Sequence, residues 1–113
     1  MTERLLQGER AIIDIRKLAD YCVSKTHPRG RNKARVFQAA LGLGRGDAAW
    51  LRDVLLAAAT VNEAEYAATD AWGEQWRLDA PVEWRDRRAT VRTVWVVRTG
   101  EMSPRFVTAW ALE

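Results

Sequence analysis

The spacing of apolar residues changes once along the chain, after Ala71. Before that point apolar residues recur every three to four positions, the period of an amphipathic helix. An aspartate, Asp14 or Asp47, stands where the first and third of these segments begin and predicts an N-cap. The pattern therefore predicts three helices, near 14–23, 32–41 and 47–59.

After Ala71 apolar and polar residues alternate, which is the period of a half-buried strand. Pro81 is expected to close the first alternating segment, and residues 82–85 can form a short further strand. The secondary structure of residues 62–69 is ambiguous from the pattern. The pattern predicts strands near 72–79, 88–98 and 105–112. Helices followed by strands indicate an α+β fold, with N-terminal helices packed on one face of a C-terminal antiparallel meander of three or four strands. We expect a single domain over residues 1–113, with 1–10 as a loose lead-in.

The same periods predict which residues form the core. On the C-terminal strands, Val94 and Val96 share one face of the sheet, whereas Trp95 lies on the other, and Trp110 is expected to share a face with Phe106. The tryptophans are buried if both faces are covered, and line a groove or meet a partner if one face is open. The predicted core is Leu18, Cys22, Phe37, Leu51, Leu55, Val94, Val96 and Val107.

Positive charge is concentrated at the start of the second predicted helix. Five cations and no acid lie between Lys25 and Arg35, whereas the formal net charge of the whole chain is only +3, so the rest of the chain is net acidic. With Asn32 as N-cap, Lys33 and Arg35 would enter the helix where its dipole disfavours cations. A bound anion would reverse that cost, because helix N-termini bind phosphate readily. The pattern indicates a polyanionic partner.

The only histidine, His27, stands in the Pro/Gly loop before these cations. RNA can be cleaved by its own 2′-hydroxyl, and the protein then supplies a general acid or base and cations for the charge on phosphorus. His27 with Arg29, Arg31, Lys33 and Arg35 fits that chemistry. Sheet residues Arg92, Thr108 or Trp95 are candidates to face the same site. The alternative is a solvated basic loop whose histidine bonds the backbone.

Other chemistries have less support. The acids are scattered, with Asp79, Glu83 and Asp86 the nearest to a cluster, so no metal site is expected. The glycines match no phosphate-binding loop, so no cofactor is expected, and the single cysteine, Cys22, has the spacing of a buried apolar residue. No apolar run is long enough to span a membrane and no secretion signal is seen, so we expect a cytoplasmic protein without a membrane partner.

Several blocks of residues resemble an uncharacterised family of small bacterial domains, chiefly His27-Pro28-x-Gly30-x-x-Lys33-Ala34 and Pro104-Arg105-x-x-Thr108. The succession of helices and a meander is in turn similar to the barnase–EndoU–colicin–RelE (BECR) fold of toxin ribonucleases. The resemblance implies a metal-free ribonuclease, held by a cognate and acidic antitoxin or immunity protein. By position it implies His27 as acid/base, Lys33 and Arg35 as phosphate contacts, and Thr108 as a polar group on the last strand.

The sequence therefore predicts a small toxin-like ribonuclease that acts on RNA without metal. One alternative is a non-catalytic basic module that binds nucleic acid or an acidic protein, and another is a mobile-element accessory protein that blocks a host enzyme. The candidate catalytic residues are His27, Arg31, Lys33 and Thr108. The candidate RNA-binding residues are Lys25, Arg29, Arg31, Lys33, Arg35 and Arg92.

Overall fold

The computed structural model describes residues 2–5, 7–22 and 31–112, without the side chains of Thr2, Tyr21 and Arg31. Within them, helices cover one face of an antiparallel sheet whose strands follow one another in chain order. The strands are β1 (Thr2–Arg4), β2 (Glu63–Asp70), β3 (Gly73–Trp84), β4 (Arg87–Arg98) and β5 (Arg105–Ala111). The predicted α+β class is confirmed, but the sheet has five strands rather than three or four.

The helical layer has three main segments. A first α-helical turn, α1, continues directly as a π-helical turn, so the helix predicted over 14–23 is only partly α-helical. The helices predicted over 32–41 and 47–59 are confirmed. The bounds are α1 (Ile15–Lys17), the π-helical turn (Leu18–Cys22), α2 (Arg31–Leu41) and α3 (Ala48–Val61), with 3₁₀ turns at Gly8–Arg10 and Arg45–Asp47. Over the described parts of the chain, we find no helix with the length and apolar character needed to cross a membrane.

The three predicted N-caps differ in outcome. Asp14 caps α1, and its Oδ1 accepts the backbone N–H of Arg16 at 3.0 Å. Asn32 lies inside α2 (Arg31–Leu41), so it is not the N-cap of that helix. Asp47 precedes α3, but its carboxylate accepts the N–H of Gly44 at 3.0 Å and so braces the 3₁₀ turn instead.

The N-terminal residues belong to the sheet, although we expected a loose lead-in there. β1 pairs antiparallel with β2, with Thr2 opposite Glu65, and Leu5 is buried behind it. The backbone of Gly8 lies so close to the end of α3 that a Cβ there would meet the carbonyl oxygen of Ala59 at 2.1 Å. A three-residue strand is too short for alternation to identify it.

Pro81 does not end a strand, because β3 continues through it to Trp84 and includes the short strand expected over 82–85. Pairs between β2 and β3 extend only from Gly73 to Arg77 on β3. Pro81 stands opposite Thr90 of β4, and no described strand pairs with it on its other side, which is the edge position that tolerates a residue without an N–H.

The helices cover the face of β4 that carries Val91, Thr93 and Trp95, all fully buried. Val94 and Val96 lie half-buried on the opposite face, which we call the open face, so their predicted place in the core was wrong. Both faces of β4 carry large apolar residues, and alternation separates the two faces without showing which one the helices cover. The predicted burial of Leu18, Cys22, Phe37, Leu51 and Leu55 is confirmed.

A bulge at Val107 changes which residues of β5 face the core. Phe106 stands opposite Trp95 and Thr108 opposite Val94, which leaves Val107 as an extra residue between them. Phe106 is therefore buried, Val107 is exposed, and Thr108 turns to the open face, as does Trp110 two residues later. The predictions that Val107 is buried and that Phe106 and Trp110 share a face were wrong.

Candidate functional site

Two distant parts of the chain meet at the edge of the sheet, where the start of α2 lies beside β5. The Nζ of Lys33, the third residue of α2, donates to the Oγ1 of Thr108 at 2.9 Å. The same ammonium lies 5.4 Å from the centre of the Trp110 ring, within the range of a cation–π interaction. Lys33 and Thr108 are 75 residues apart in the sequence, and both were candidate site residues.

The last residue of α1 and the last residue of the π-helical turn also contact β5 here. The thiol of Cys22 lies 3.8 Å from the hydroxyl of Thr108, and the Nζ of Lys17 donates to the carbonyl oxygen of Phe106 at 2.9 Å. Burial raises the pKa of the Cys22 thiol, so the sulfur stays protonated and is a poor nucleophile near neutral pH. Cys22 therefore helps to fix Thr108.

Arg92 occupies the open face of β4, directly opposite Trp110 in the ladder. Its guanidinium forms two 2.9 Å hydrogen bonds with the carboxylate of Asp79, one from Nε and one from Nη2. The hydrogen bonds from Arg92 lower the pKa of the Asp79 carboxyl. Asp79 thus orients Arg92 beside Trp110 and offsets part of its charge.

Two other candidate residues, Arg35 and Trp95, lie away from the contact of Lys33 with Thr108. Arg35 follows Lys33 by two residues, about 200° around the helix axis. It is exposed in a shallow groove with Val36 and Ala39 of the same helix. Trp95 is fully buried against Phe106, with ring centroids 5.6 Å apart, and so belongs to the core.

The remaining candidates fall where the structure gives no description. Lys25, His27 and Arg29 lie outside the described residues, as does the side chain of Arg31, whose backbone begins α2. In the described ranges, no three His, Cys, Asp or Glu side chains gather as metal ligands.

The structure adds residues that sequence reasoning did not place at this site, namely Lys17, Cys22 and Asp79. Lys17 and Cys22 reach β5 across more than 80 residues of sequence, and no local pattern signals that contact. Asp79 has a signal that could have been used. Asp79 and Arg92 lie on predicted strands that follow one another along the chain, and opposite charges on neighbouring strands tend to pair.

The comparisons with known proteins identify a family. The profile of a domain family described as a domain of unknown function (DUF6883) matches residues 4–113. No curated protein and no solved structure matches the chain.

Proposed function

We propose that this chain, which belongs to the DUF6883 family of domains of unknown function, is a toxin-like ribonuclease. In the proposal it binds RNA on its open sheet face and cleaves it without metal. The observation that carries the proposal is the contact of the Lys33 ammonium with Thr108 and Trp110. It joins a cation fixed by a hydrogen bond to a half-buried aromatic ring on the sheet face opposite the described helices.

This combination suits a single strand of RNA. Cations bind the phosphates, and an indole ring offers a surface on which an unpaired base can stack. Arg92 stands across from Trp110 on the same face and extends the polar surface along β4. In the proposal the basic residues Lys25, Arg29 and Arg31, which precede or begin α2, add further phosphate contacts.

The proposed reaction is attack of the 2′-hydroxyl oxygen on the neighbouring phosphorus. The imidazole of His27 accepts the hydroxyl proton, the new oxygen–phosphorus bond closes a 2′,3′-cyclic phosphate, and the 5′ oxygen leaves and takes a proton from water. Lys33 stabilises the negative charge that grows on the phosphate oxygens. Thr108 acts as a positioning residue, since its hydroxyl holds the Lys33 ammonium.

The proposal includes the likeness to the BECR fold and an acidic antitoxin or immunity protein as partner. The packing of the described helices on one face of an antiparallel sheet supports the likeness at the level of architecture. An acidic partner would cover the same cations that the RNA contacts and so block the site.

The test follows cleavage of an unstructured RNA oligonucleotide in the presence of a chelator. We expect wild-type protein to yield products that end in a 2′,3′-cyclic phosphate. His27→Ala should slow cleavage by a factor of about 10² to 10⁴, the typical contribution of one acid/base group. Cleavage that requires Mg²⁺ would contradict the mechanism, and binding without cleavage would leave the non-catalytic module as the function.

The binding part is tested by salt dependence with matched variants of α2. Each phosphate contact to a single strand contributes about −0.7 to the slope of log K against log salt. Lys33→Ala should lower the affinity and make the slope shallower by about 0.7, the contribution of one phosphate contact. Reversal of Arg31 and Lys33 to Glu should weaken binding to every RNA sequence. Arg35→Ala removes the same charge from the opposite side of the helix and serves as the control. Binding that is absent or independent of salt would exclude an RNA partner.

A further inference from the structure

A groove lies at one end of the open face, between the β2–β3 turn and the β4–β5 loop. Its volume is about 640 Å³, within the size range of ligand sites. Its chief lining residues are Lys17, Trp72, Gln75, Val96, Arg98 and Val107, and we call it the turn groove. The side chain of Trp72 is 78% exposed, the highest value among the large apolar residues that the structure describes.

The wall that carries Trp72 is held in place by hydrogen bonds. The Oδ1 of Asp70 accepts the N–H groups of Trp72 at 2.8 Å and Gly73 at 3.2 Å, and its Oδ2 accepts from the amide of Gln75 at 2.8 Å. The N–H of Thr99 donates to the carbonyl oxygen of Trp72 at 3.1 Å, which ties the turn to the opposite loop. An exposed indole on a braced turn is a preformed contact surface, because little conformational entropy is lost when a ligand covers it.

The turn groove is lined by two cations, Lys17 and Arg98, and two carboxylates, Asp70 and Glu101. Glu101 is paired with Arg105 at 2.9 Å, and both oxygens of Asp70 accept hydrogen bonds within the turn. Lys17 donates to a carbonyl oxygen, and among the described residues none forms an ion pair with Arg98. Lys17 and Arg98 can therefore contact a negatively charged group of a ligand whose flat aromatic part covers Trp72.

The turn groove is continuous with the proposed cleavage site. Along β4 the open face presents Arg92, Val94, Val96 and Arg98 at intervals of two residues, about 7 Å each. Val94 stands opposite Thr108, so Val96 in the groove is one such interval from the cleavage site and Arg98 is two. A single extended strand of RNA can follow this line.

We propose that the turn groove holds an unpaired nucleotide of the RNA next to the cleaved bond, with its base on Trp72 and its phosphate against Arg98 and Lys17. This inference rests on the proposed function, because it assigns a second contact to the same RNA strand. An unpaired nucleotide is required, since a duplex hides the base surfaces that would stack on the indole.

The experiment measures the affinity of a labelled single-stranded RNA whose 2′-oxygens are methylated, so that cleavage by their attack is blocked. Trp72→Ala should weaken binding about tenfold or more, the usual effect of losing one stacked base, and Trp72→Phe should retain part of the affinity. Arg98→Ala should reduce the salt slope by about 0.7. Arg10→Ala is the control and should bind as wild type, because Arg10 is an exposed cation in the 3₁₀ turn that packs against α3 on the helical side of the sheet.

The outcomes separate the two proposals. If Lys33→Ala weakens binding while both Trp72 variants and Arg98→Ala bind as wild type, the turn groove is not an RNA subsite and the proposed function stands. If wild-type protein binds no single-stranded RNA, both proposals fail. A duplex that binds as tightly as the single strand, with the same loss in Trp72→Ala, would also overturn the stacking role.

Discussion

Thr93 is a polar residue in the middle of the core, and its hydroxyl makes two hydrogen bonds there. It donates to the carbonyl oxygen of Leu78 at 2.6 Å and accepts the indole N–H of Trp95 at 2.8 Å. Thr93→Val keeps the shape but leaves the buried N–H without a partner. We expect a loss of about 1–3 kcal/mol in the free energy of unfolding, the usual cost of an unsatisfied buried group. Urea denaturation followed by tryptophan fluorescence measures it.

Thr90→Val is the control for that variant, because Thr90 is exposed on the same strand. A surface substitution of this kind should change the free energy of unfolding by no more than about 0.5 kcal/mol. Equal effects of the two substitutions would mean that the hydroxyl of Thr93 contributes nothing through its partners.

At the level of elements, the bulge in β5 lets Phe106 and Ala109 face the core while Thr108 and Trp110 face the candidate site. Deletion of Val107 removes the extra residue and leaves regular alternation, with Phe106 and Ala109 still towards the core and Thr108 between them on the open face. We therefore expect the deletion variant to fold and to lose no more than about 3 kcal/mol in the free energy of unfolding. Val107→Thr keeps the length and should cost about 0.5 kcal/mol or less. Urea denaturation of both variants gives the result, and a deletion variant that fails to fold beside a stable Val107→Thr would contradict the assignment of the bulge.

The bulge also marks a limit to what the sequence pattern predicts. Period alone identified α2, α3, β4 and β5, since each is long enough to repeat its pattern several times. It could not choose between the two faces of β4, since both carry large apolar residues, and it could not detect one extra residue in β5. Alternation alone puts Thr108 and Trp110 on one face, as predicted, but the turn of both residues away from the face of Phe106 follows from the bulge, which has no local sequence signal.

At the scale of the whole molecule, three of the carboxylates that pair with an arginine have a lowered pKa. Hydrogen bonds from Arg16 lower the pKa of Asp14 to about 2, and Arg92 and Arg105 lower the pKa values of Asp79 and Glu101. Their pKa values are lower in the folded state, so the unfolded chain binds more protons in acid. The stability that these pairs give is complete above the unfolded pKa values near 4 and is lost as the pH falls towards the folded values.

A variant that carries Asp14→Asn, Asp79→Asn and Glu101→Gln should therefore lose less stability in acid than wild-type protein does. Without the three carboxyls, fewer protons are taken up on unfolding between about pH 5 and pH 2.5, and the free energy of unfolding should depend less on pH there. The measurement is urea denaturation at several pH values in low salt. Because all three pairs are exposed, about 1 M salt should reduce the difference between the two proteins. The same acid dependence in both proteins at low salt would mean that the ion pairs do not persist in solution.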